Sequence, residues 1–221
     1  MSRRWRRGPS SSPPWLFGRG VRDRLLLALN ANGPLQPSQL VRHLKCDEKK
    51  VHNALRHFYS MGIVARRGVP GRRTRWTLDR SFFAYEELSA LLSEMEPYST
   101  PINAAIPVRR VGLTVCSQLS KPNVGLLFGS ETRTLTLVCL AMLKQSTISE
   151  VAASIGARHE SVSYVLQSYV AKGVCKVASS GRERLVALDE TFKLHAPLQR
   201  LLGKLAKRGS FVDPSEPFHT I

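Results

Sequence analysis

The segment "VHNALRHFYSMGIV" at residues 51–64 decides the fold, because it has the pattern of a helix that runs into a strand. Its apolar side chains recur at the spacing of one helix face, at Val51, Leu55 and Phe58. Gly62 follows them, as is typical of the residue just beyond a helix C-terminus. The β-like run 63–67 comes next. The segment therefore predicts a helix that ends at Gly62 and leads directly into a hairpin.

The same pattern occurs again at residues 162–175, which read "VSYVLQSYVAKGVC". A shift of 111 residues aligns 16–64 with 127–175 without a gap, and 10 of the 49 aligned pairs are identical. Ordinary amino-acid usage would give about three identities. After one deletion the match resumes at a shift of 110 and continues through the last helix. The chain is therefore predicted to be a tandem duplication of one unit.

The stretch between the two copies is predicted to be a linker, because it contains Pro97, Pro101, Pro107 and Pro122. The whole chain then divides into a flexible basic arm, a first domain, the linker, a second domain and a tail, at residues 1–15, 16–96, 97–125, 126–208 and 209–221. The arm contains "SRRWRR", and we expect it to attract phosphates without sequence preference.

Each copy is predicted to place two helices before the segment quoted above. A leucine-rich helix opens each copy, at 21–31 and at 131–143. The second helix begins beside Pro37 in the first copy, since proline suits the first helical position. In the second copy it begins at a capping box formed by Thr147 and Glu150.

Two β-like runs and a final helix complete each copy. In the first copy the runs are 63–67 and 73–78, and "GVPG" between them is typical of a hairpin loop. The final helix has an apolar stripe in both copies, at Tyr85, Leu88, Leu91, Leu92 and Met95 and at Leu194, Leu198, Leu201, Leu202 and Leu205. The predicted order is helix, helix, turn, helix, hairpin, helix.

This order resembles a winged helix-turn-helix. The segment "SETRTLTLVCL" at residues 130–140 is similar to the opening helix of ArsR/MarR-like winged-helix regulators, and the two segments 51–64 and 162–175 are similar to their recognition helix running into the wing. The resemblance covers about three quarters of the chain and implies two tandem winged helix-turn-helix domains, mainly α with small β wings and therefore α+β. Those regulators usually carry one such domain per chain and dimerise, so a homodimer and an intramolecular pseudo-dimer are both open.

The charge of the chain indicates a polyanionic partner. Its formal net charge is +17, from 33 Lys and Arg against 16 Asp and Glu. Residues 1–80 hold 18 basic and 4 acidic residues, whereas residues 81–221 hold 15 and 12. We therefore expect double-stranded DNA to be the partner and to meet the first half of the chain first.

The third helix of the first copy is predicted to read DNA bases. The side opposite its apolar stripe presents Lys49, Lys50, His52, Asn53 and Arg56. Asparagine can bond adenine with two hydrogen bonds in the major groove, and arginine can do the same to guanine. The hairpin beside this helix would bring further cations to phosphates or to the minor groove, namely Arg66, Arg67, Arg72, Arg73 and Arg75.

The second copy is predicted to be the weaker electrostatic site. Lys49, Asn53 and Arg56 are replaced by Glu160, Tyr164 and Gln167. Its candidate DNA contacts are Ser163, Tyr164, Gln167, Arg182 and Arg184. We expect Tyr164 to be partly buried, and the domain either to add a more polar base contact or to contact protein.

No motif of the sequence points to an enzyme, and no catalytic residue, metal ligand or cofactor is expected. Leu-Phe-Gly-Ser at 127–130 resembles the phosphate loop of nucleotidyltransferases, but the pair of nearby carboxylates that those enzymes need for Mg²⁺ does not follow it. Cysteines stand at Cys46, Cys116, Cys139 and Cys175, without zinc spacing, and are expected to be reduced thiols. No apolar run approaches the roughly 20 residues of a membrane span.

The sequence therefore predicts a sequence-specific double-stranded DNA-binding protein that regulates transcription and is located in the cytoplasm at the nucleoid. Two alternatives stay open at this point. One is a plasmid or mobile-element replication initiator with two winged helices, and the other is an adaptor whose winged helices bind proteins.

Overall fold

The computed structural model describes residues 16–17, 20–68, 74–96, 127–180 and 183–208. These residues divide into two compact units, of which the first ends at Ser130 and the second begins at Glu131. Within the described residues the fold is mixed α and β, with eight helices and two small antiparallel sheets. The basic arm, the linker, the tail and the hairpin residues Arg72, Arg73 and Arg182 lie outside the described residues.

The first unit contains four helices and one hairpin. Its elements are α1 (Val21–Asn32), α2 (Pro37–Leu44), α3 (Glu48–Ser60), β1 (Val64–Arg67), β2 (Arg75–Leu78) and α4 (Tyr85–Met95). The order agrees with the order expected from the sequence, and both strands are slightly shorter than the predicted runs. In the antiparallel hairpin, Val64 lies opposite Leu78 and Arg67 lies opposite Arg75.

The second unit has the same order of elements with one strand added. Its elements are α5 (Glu131–Leu143), β3 (Gln145–Thr147), α6 (Ile148–Ser154), α7 (His159–Ala171), β4 (Cys175–Ser180), β5 (Glu183–Leu188) and α8 (His195–Arg208). The sequence did not predict β3, which pairs with β5 and places Ser146 opposite Val186. In the first unit a single bridge occupies the equivalent place. There, the N–H groups of Leu35 and Trp76 donate to each other's carbonyl oxygens at 2.9 and 2.7 Å.

Helices α3 and α7 end in the same way, at Gly62 and Gly173. The φ angles of these glycines are 68° and 71°, in the left-handed region that favours glycine. The residue after each glycine donates its N–H to the carbonyl oxygen five residues back, at 3.0 Å in the first unit and 2.9 Å in the second. This is the Schellman arrangement, which confirms the predicted helix ends and turns the chain directly into β1 and β4.

The predicted starts of α2 and α6 are also confirmed. Pro37 is the first residue of α2, and the N–H of Gln36 donates to the side-chain oxygen of Gln39 at 2.8 Å. At α6, Thr147 and Glu150 form both bonds of a capping box, at 2.7 and 3.2 Å. The N–H of Thr147 is also the main reason that the pKa of Glu150 is lowered. Both helices therefore begin where local side chains satisfy their first N–H groups.

The final helix completes the core of each unit. Helix α4 packs on α1, and α8 packs on α5. Nearly all residues of the predicted stripes are buried, at Leu88, Leu91, Leu92, Met95, Leu194, Leu198, Leu201, Leu202 and Leu205. Tyr85 alone of the stripe residues is half-buried. Asn30 of α1 also accepts a hydrogen bond from Ser89 and donates one to Ser93, at 2.9 and 3.1 Å.

The pair Leu16-Phe17, which recurs as Leu127-Phe128, is part of the core. Both residues of each pair are fully buried, and the rings of Phe17 and Phe128 stack with centroids 5.4 Å apart, within the unit that ends at Ser130. The N–H of Phe17 donates to the buried carboxylate of Asp23 at 3.0 Å. This bond holds the start of the described chain against α1.

Candidate nucleic-acid interface

The turn between α2 and α3 fixes where α3 begins. After α2, Lys45 adopts a left-handed conformation with a φ of 47°, and Asp47 caps α3 by accepting the N–H of Lys49 at 2.7 Å. Arg24 of α1 donates to the carbonyl oxygen of Leu44 at the end of α2. A cation at a helix C-terminus is favourable, because the last carbonyl groups carry partial negative charge. The Asp47 cap therefore fixes the start of α3, and the bond from Arg24 holds the end of α2 against α1.

Helix α3 presents the predicted DNA-reading side chains to solvent. Its opposite face is anchored in the core by Val51, Ala54, Leu55 and Phe58. Exposed side chains along α3 include Lys49, Lys50, Asn53 and Arg56. His52 is 42% exposed, and its Nε2 lies 3.4 Å from a carboxylate oxygen of Glu48. All five side chains that the sequence assigned to this face therefore lie outside the core.

The hairpin is held beside the end of α3. Strand β1 packs on α3. The ring of Tyr59, near the end of α3, meets the ring of Trp76 on β2 edge to face, with centroids 5.6 Å apart. Trp76 also forms the backbone bridge to Leu35. These contacts connect β2 both to α3 and to the segment that precedes α2.

The described arginines of this hairpin concentrate positive charge on its strands. Arg67 and Arg75 are directly opposite each other, so their side chains project from the same side. Arg66 is exposed and donates to the hydroxyl of Thr74 at 3.2 Å. The Nε of Arg67 is buried and has no hydrogen-bond partner among the described residues. Like charges at directly opposite positions destabilise a hairpin, and a bound anion would offset that repulsion.

The second unit has a different surface at the same positions. Glu160, Tyr164 and Gln167 are exposed on α7, and Gln167 donates to the hydroxyl of Ser163 at 3.3 Å. Tyr164 is 64% exposed, more than the partial burial expected from the sequence. The reason is its position, because it projects from the side of α7 opposite the buried Val162.

The second hairpin lacks the opposed pair of cations. Its strands place Ala178 opposite Leu185, at the positions that correspond to Arg67 and Arg75. Arg184 is exposed and lies opposite Ser179 in the register. The candidate interface of the first unit is therefore the more strongly cationic of the two among the described residues.

No protein-family model, curated protein or solved structure matches the chain. The candidate interface is therefore the main guide to function.

Burial makes the described cysteines weak nucleophiles. Cys139 and Cys175 are buried and Cys46 is half-buried, and burial raises the pKa of all three thiols. A raised pKa keeps a thiol protonated and unreactive at neutral pH.

The described residues contain no group of His, Cys, Asp and Glu suited to hold a metal ion. None of the described helices has both the length and the apolar character needed to cross a membrane.

Three contacts of this surface were missed by the sequence-based predictions. Trp76 is the one aromatic residue of β2, and Tyr59 lies next to the buried stripe of α3. These two features alone are only a weak indication that the two rings touch. The bridge between Leu35 and Trp76 and the bond from Arg24 to Leu44 join residues that are far apart in sequence. Local patterns carry no information about such pairs.

Proposed function

We propose that the protein is a sequence-specific double-stranded DNA-binding protein, located in the cytoplasm at the nucleoid, that regulates transcription through two duplicated winged helix-turn-helix domains. Helix α3 is the recognition helix and enters the major groove. The β1–β2 hairpin is its wing and contacts phosphates or the minor groove. The repeated order of elements in the two units supports this assignment.

The opposed arginines beside the exposed face of α3 are the main support for DNA as the partner. An ordinary solvated helix can carry Lys49, Asn53 and Arg56 without any ligand. A pair of arginines at directly opposite strand positions costs stability in the free protein, whereas phosphate groups bound next to the pair would stabilise it. The equivalent pair in the second hairpin is apolar, so the fold itself does not require cations there.

The two domains contribute differently in this proposal. The first supplies most of the phosphate contacts and the base contacts from Asn53 and Arg56. The second adds uncharged polar contacts from Ser163, Tyr164 and Gln167 on α7.

A protein-binding role for the second domain is the alternative that a specific observation favours. Tyr164 is large and 64% exposed, and it lies one turn from Glu160 on one side and from Gln167 on the other. Exposed tyrosines of this kind are enriched at protein interfaces. Retained DNA binding with loss of a protein partner after Tyr164→Ala would identify this alternative.

A salt titration of the full chain on duplex DNA tests the proposal. If the protein neutralises about six to eight phosphates, the slope of log K against log salt concentration is about −5 to −7. A slope near zero would rule out DNA binding through phosphates. Selection of bound duplexes from a random pool then tests sequence specificity, because a regulator enriches one motif and a non-specific binder enriches none.

A further inference from the structure

The exposed side of α8 carries a row of cations that the proposed interface does not use. Arg200, Lys204 and Lys207 are all exposed, and their spacing of four and three residues places them on one side of the helix. We call these three residues the α8 row. Helix α8 has the sequence "HAPLQRLLGKLAKR" and contains no acidic residue. The row therefore places three cations on one side of the helix.

The orientation of the row is fixed by the core. The opposite face of α8 is fully packed, with Leu198, Leu201, Leu202 and Leu205 all at most 1% exposed. Helix α8 packs on α5, whereas α7 packs on α5, α6 and β4. Helix α5 is therefore a shared neighbour of α7 and α8, and the row lies on a different helix from the polar side chains of α7.

Gly203 lies in the same helix, between Arg200 and Lys207. A glycine in a helix interior is destabilising relative to alanine. Packing does not require it here, since a Cβ at Gly203 would meet no atom within 4 Å. The missing side chain leaves the helix backbone accessible, because a ligand can approach a glycine closely. The glycine therefore leaves room for a ligand to approach the backbone on this side of α8.

The equivalent helix of the first unit has the opposite charge. Helix α4 has the sequence "YEELSALLSEM", with acidic residues at Glu86, Glu87 and Glu94 and no basic residue. Both helices fulfil the same packing role in their own units. The positive charge is therefore a specific property of α8 and is not a requirement of the fold.

We propose that the α8 row binds the phosphate backbone of duplex DNA, as a contact surface additional to α3 and its hairpin. This inference rests on the proposed function. The row spans about 10 Å at the rise of an α-helix. Over that length of duplex axis one strand of B-DNA carries about three phosphates, so the row is long enough to meet more than one of them. An anionic membrane fits less well, because the apolar face of α8 is buried and none of it is left to insert into a bilayer.

The first test removes the row in the full chain, as the triple variant Arg200→Gln, Lys204→Gln and Lys207→Gln. The control variant Lys144→Gln, Lys172→Gln and Lys193→Gln lowers the net charge equally, outside the row. Salt titrations on a duplex of random sequence compare both with the wild type. We expect the slope of log K against log salt to become shallower by about 2 to 3 in the row variant, and to change by less than about 1 in the control.

The second test is Gly203→Ala, which leaves every charge in place. We expect a higher Tm, because alanine favours the helix, together with weaker duplex binding, because the methyl group keeps the phosphate strand further from the backbone. A higher Tm with unchanged binding would contradict close approach at this glycine. Since this variant is expected to fold more stably than the wild type, loss of fold cannot explain weaker binding.

The outcomes separate this inference from the proposed function. Equal slopes for the wild type and the row variant overturn the α8 contact and leave DNA binding by α3 intact. A wild-type slope near zero overturns both proposals. Co-sedimentation with phosphatidylserine vesicles is the third measurement. Vesicle binding that is lost in the row variant, with an unchanged slope on DNA, would assign the row to a membrane and overturn the DNA contact.

Discussion

Arg67 and Arg75 lie directly opposite each other on the two strands of the first hairpin, with their side chains on the same side. Ala178 and Leu185 occupy the corresponding positions in the second hairpin. The same pair of strand positions is therefore filled by repelling charges in one unit and by apolar side chains in the other. A substitution that removes one charge of this pair is expected to raise the stability of the free protein and to weaken ligand binding.

Arg75→Leu is expected to stabilise the free protein and weaken DNA binding. The substitution removes one of two opposed like charges, so the free energy of unfolding should rise by about 0.2–1 kcal/mol. The affinity for duplexes of all sequences should fall to a similar extent, since a phosphate contact is lost. Thermal denaturation and binding titrations measure the two effects. Arg80→Gln, which removes an exposed charge outside the hairpin, is the control and should not raise stability. A less stable Arg75→Leu protein would contradict the repulsion argument.

Asn53→Ala is expected to reduce specificity more than general affinity. Asn53 is exposed on α3 and can bond the edge of an adenine. Its loss should cost about 1–3 kcal/mol on the preferred site and relax discrimination at one base pair. Competition between the preferred duplex and single-base variants measures the change, with Ser60→Ala on the same helix as the control. An equal loss on every sequence would mean that Asn53 contacts the DNA backbone.

The stability of the protein is expected to decrease as the pH falls below neutral, in part because of His43. Burial lowers the pKa of His43 below its usual value of 6.5, and the nearby Arg24 lowers it further. The Nε2 of His43 is buried without a hydrogen-bond partner among the described residues. Between the folded and unfolded pKa values the unfolded chain binds more protons, so stability present above pH 6.5 is lost as the pH falls through this window.

The test of this prediction is Tm measured from neutral pH down to about pH 5. His43→Gln should make the decline smaller, because the group that takes up a proton on unfolding is removed. His159→Gln, at the exposed start of α7, is the matched control and should keep the wild-type decline. An identical pH profile for His43→Gln and the wild type would show that other groups cause the decline.

Replacing two glycines by alanine, one at a time, should change the free energy of unfolding in opposite directions. Gly173 has a φ of 71° at the end of α7, so Gly173→Ala should lower the free energy of unfolding by about 1 kcal/mol or more through backbone strain. Gly203 lies inside α8, and Gly203→Ala should raise the free energy of unfolding by up to about 1 kcal/mol. A Cβ at either position meets no atom within 4 Å, so crowding affects neither comparison. Chemical denaturation measures both, and a shift of the same sign in the two variants would contradict the argument.

Local sequence patterns predicted the helices and their ends, because the responsible interactions are local. The glycines after α3 and α7 and the capping box at Thr147 each act within five residues of the chain. Strand β3 was not predicted, because the pairing that forms it is not local. Its three residues, Gln145–Thr147, are too few to show an alternating pattern, and their partners on β5 are 38 or more residues away.

In the candidate site, too, local features could be predicted from the sequence and long-range pairings could not. The periodicity of α3 was sufficient to predict which of its side chains leave the core, from Lys49 to Arg56. The pairing of Arg67 with Arg75 depends on hairpin register, which the sequence left open because the loop between the predicted runs has no defined turn type. The exposure of Tyr164 follows from its place on the side of α7 opposite Val162, so the helical pattern contained the signal and the expected partial burial was wrong.

The bridge between Leu35 and Trp76 has a consequence for how the first hairpin can move. One residue pair ties β2 to the segment before α2, whereas three pairs of β3 and β5 make the equivalent connection in the second unit. We therefore expect the first hairpin to be the more compliant of the two, so that in the proposed complex it would tilt to follow grooves of different width. The amide hydrogens of Leu35 and Trp76 take part in both bonds of this bridge, so their rates of exchange with deuterated solvent would report directly on that tilting.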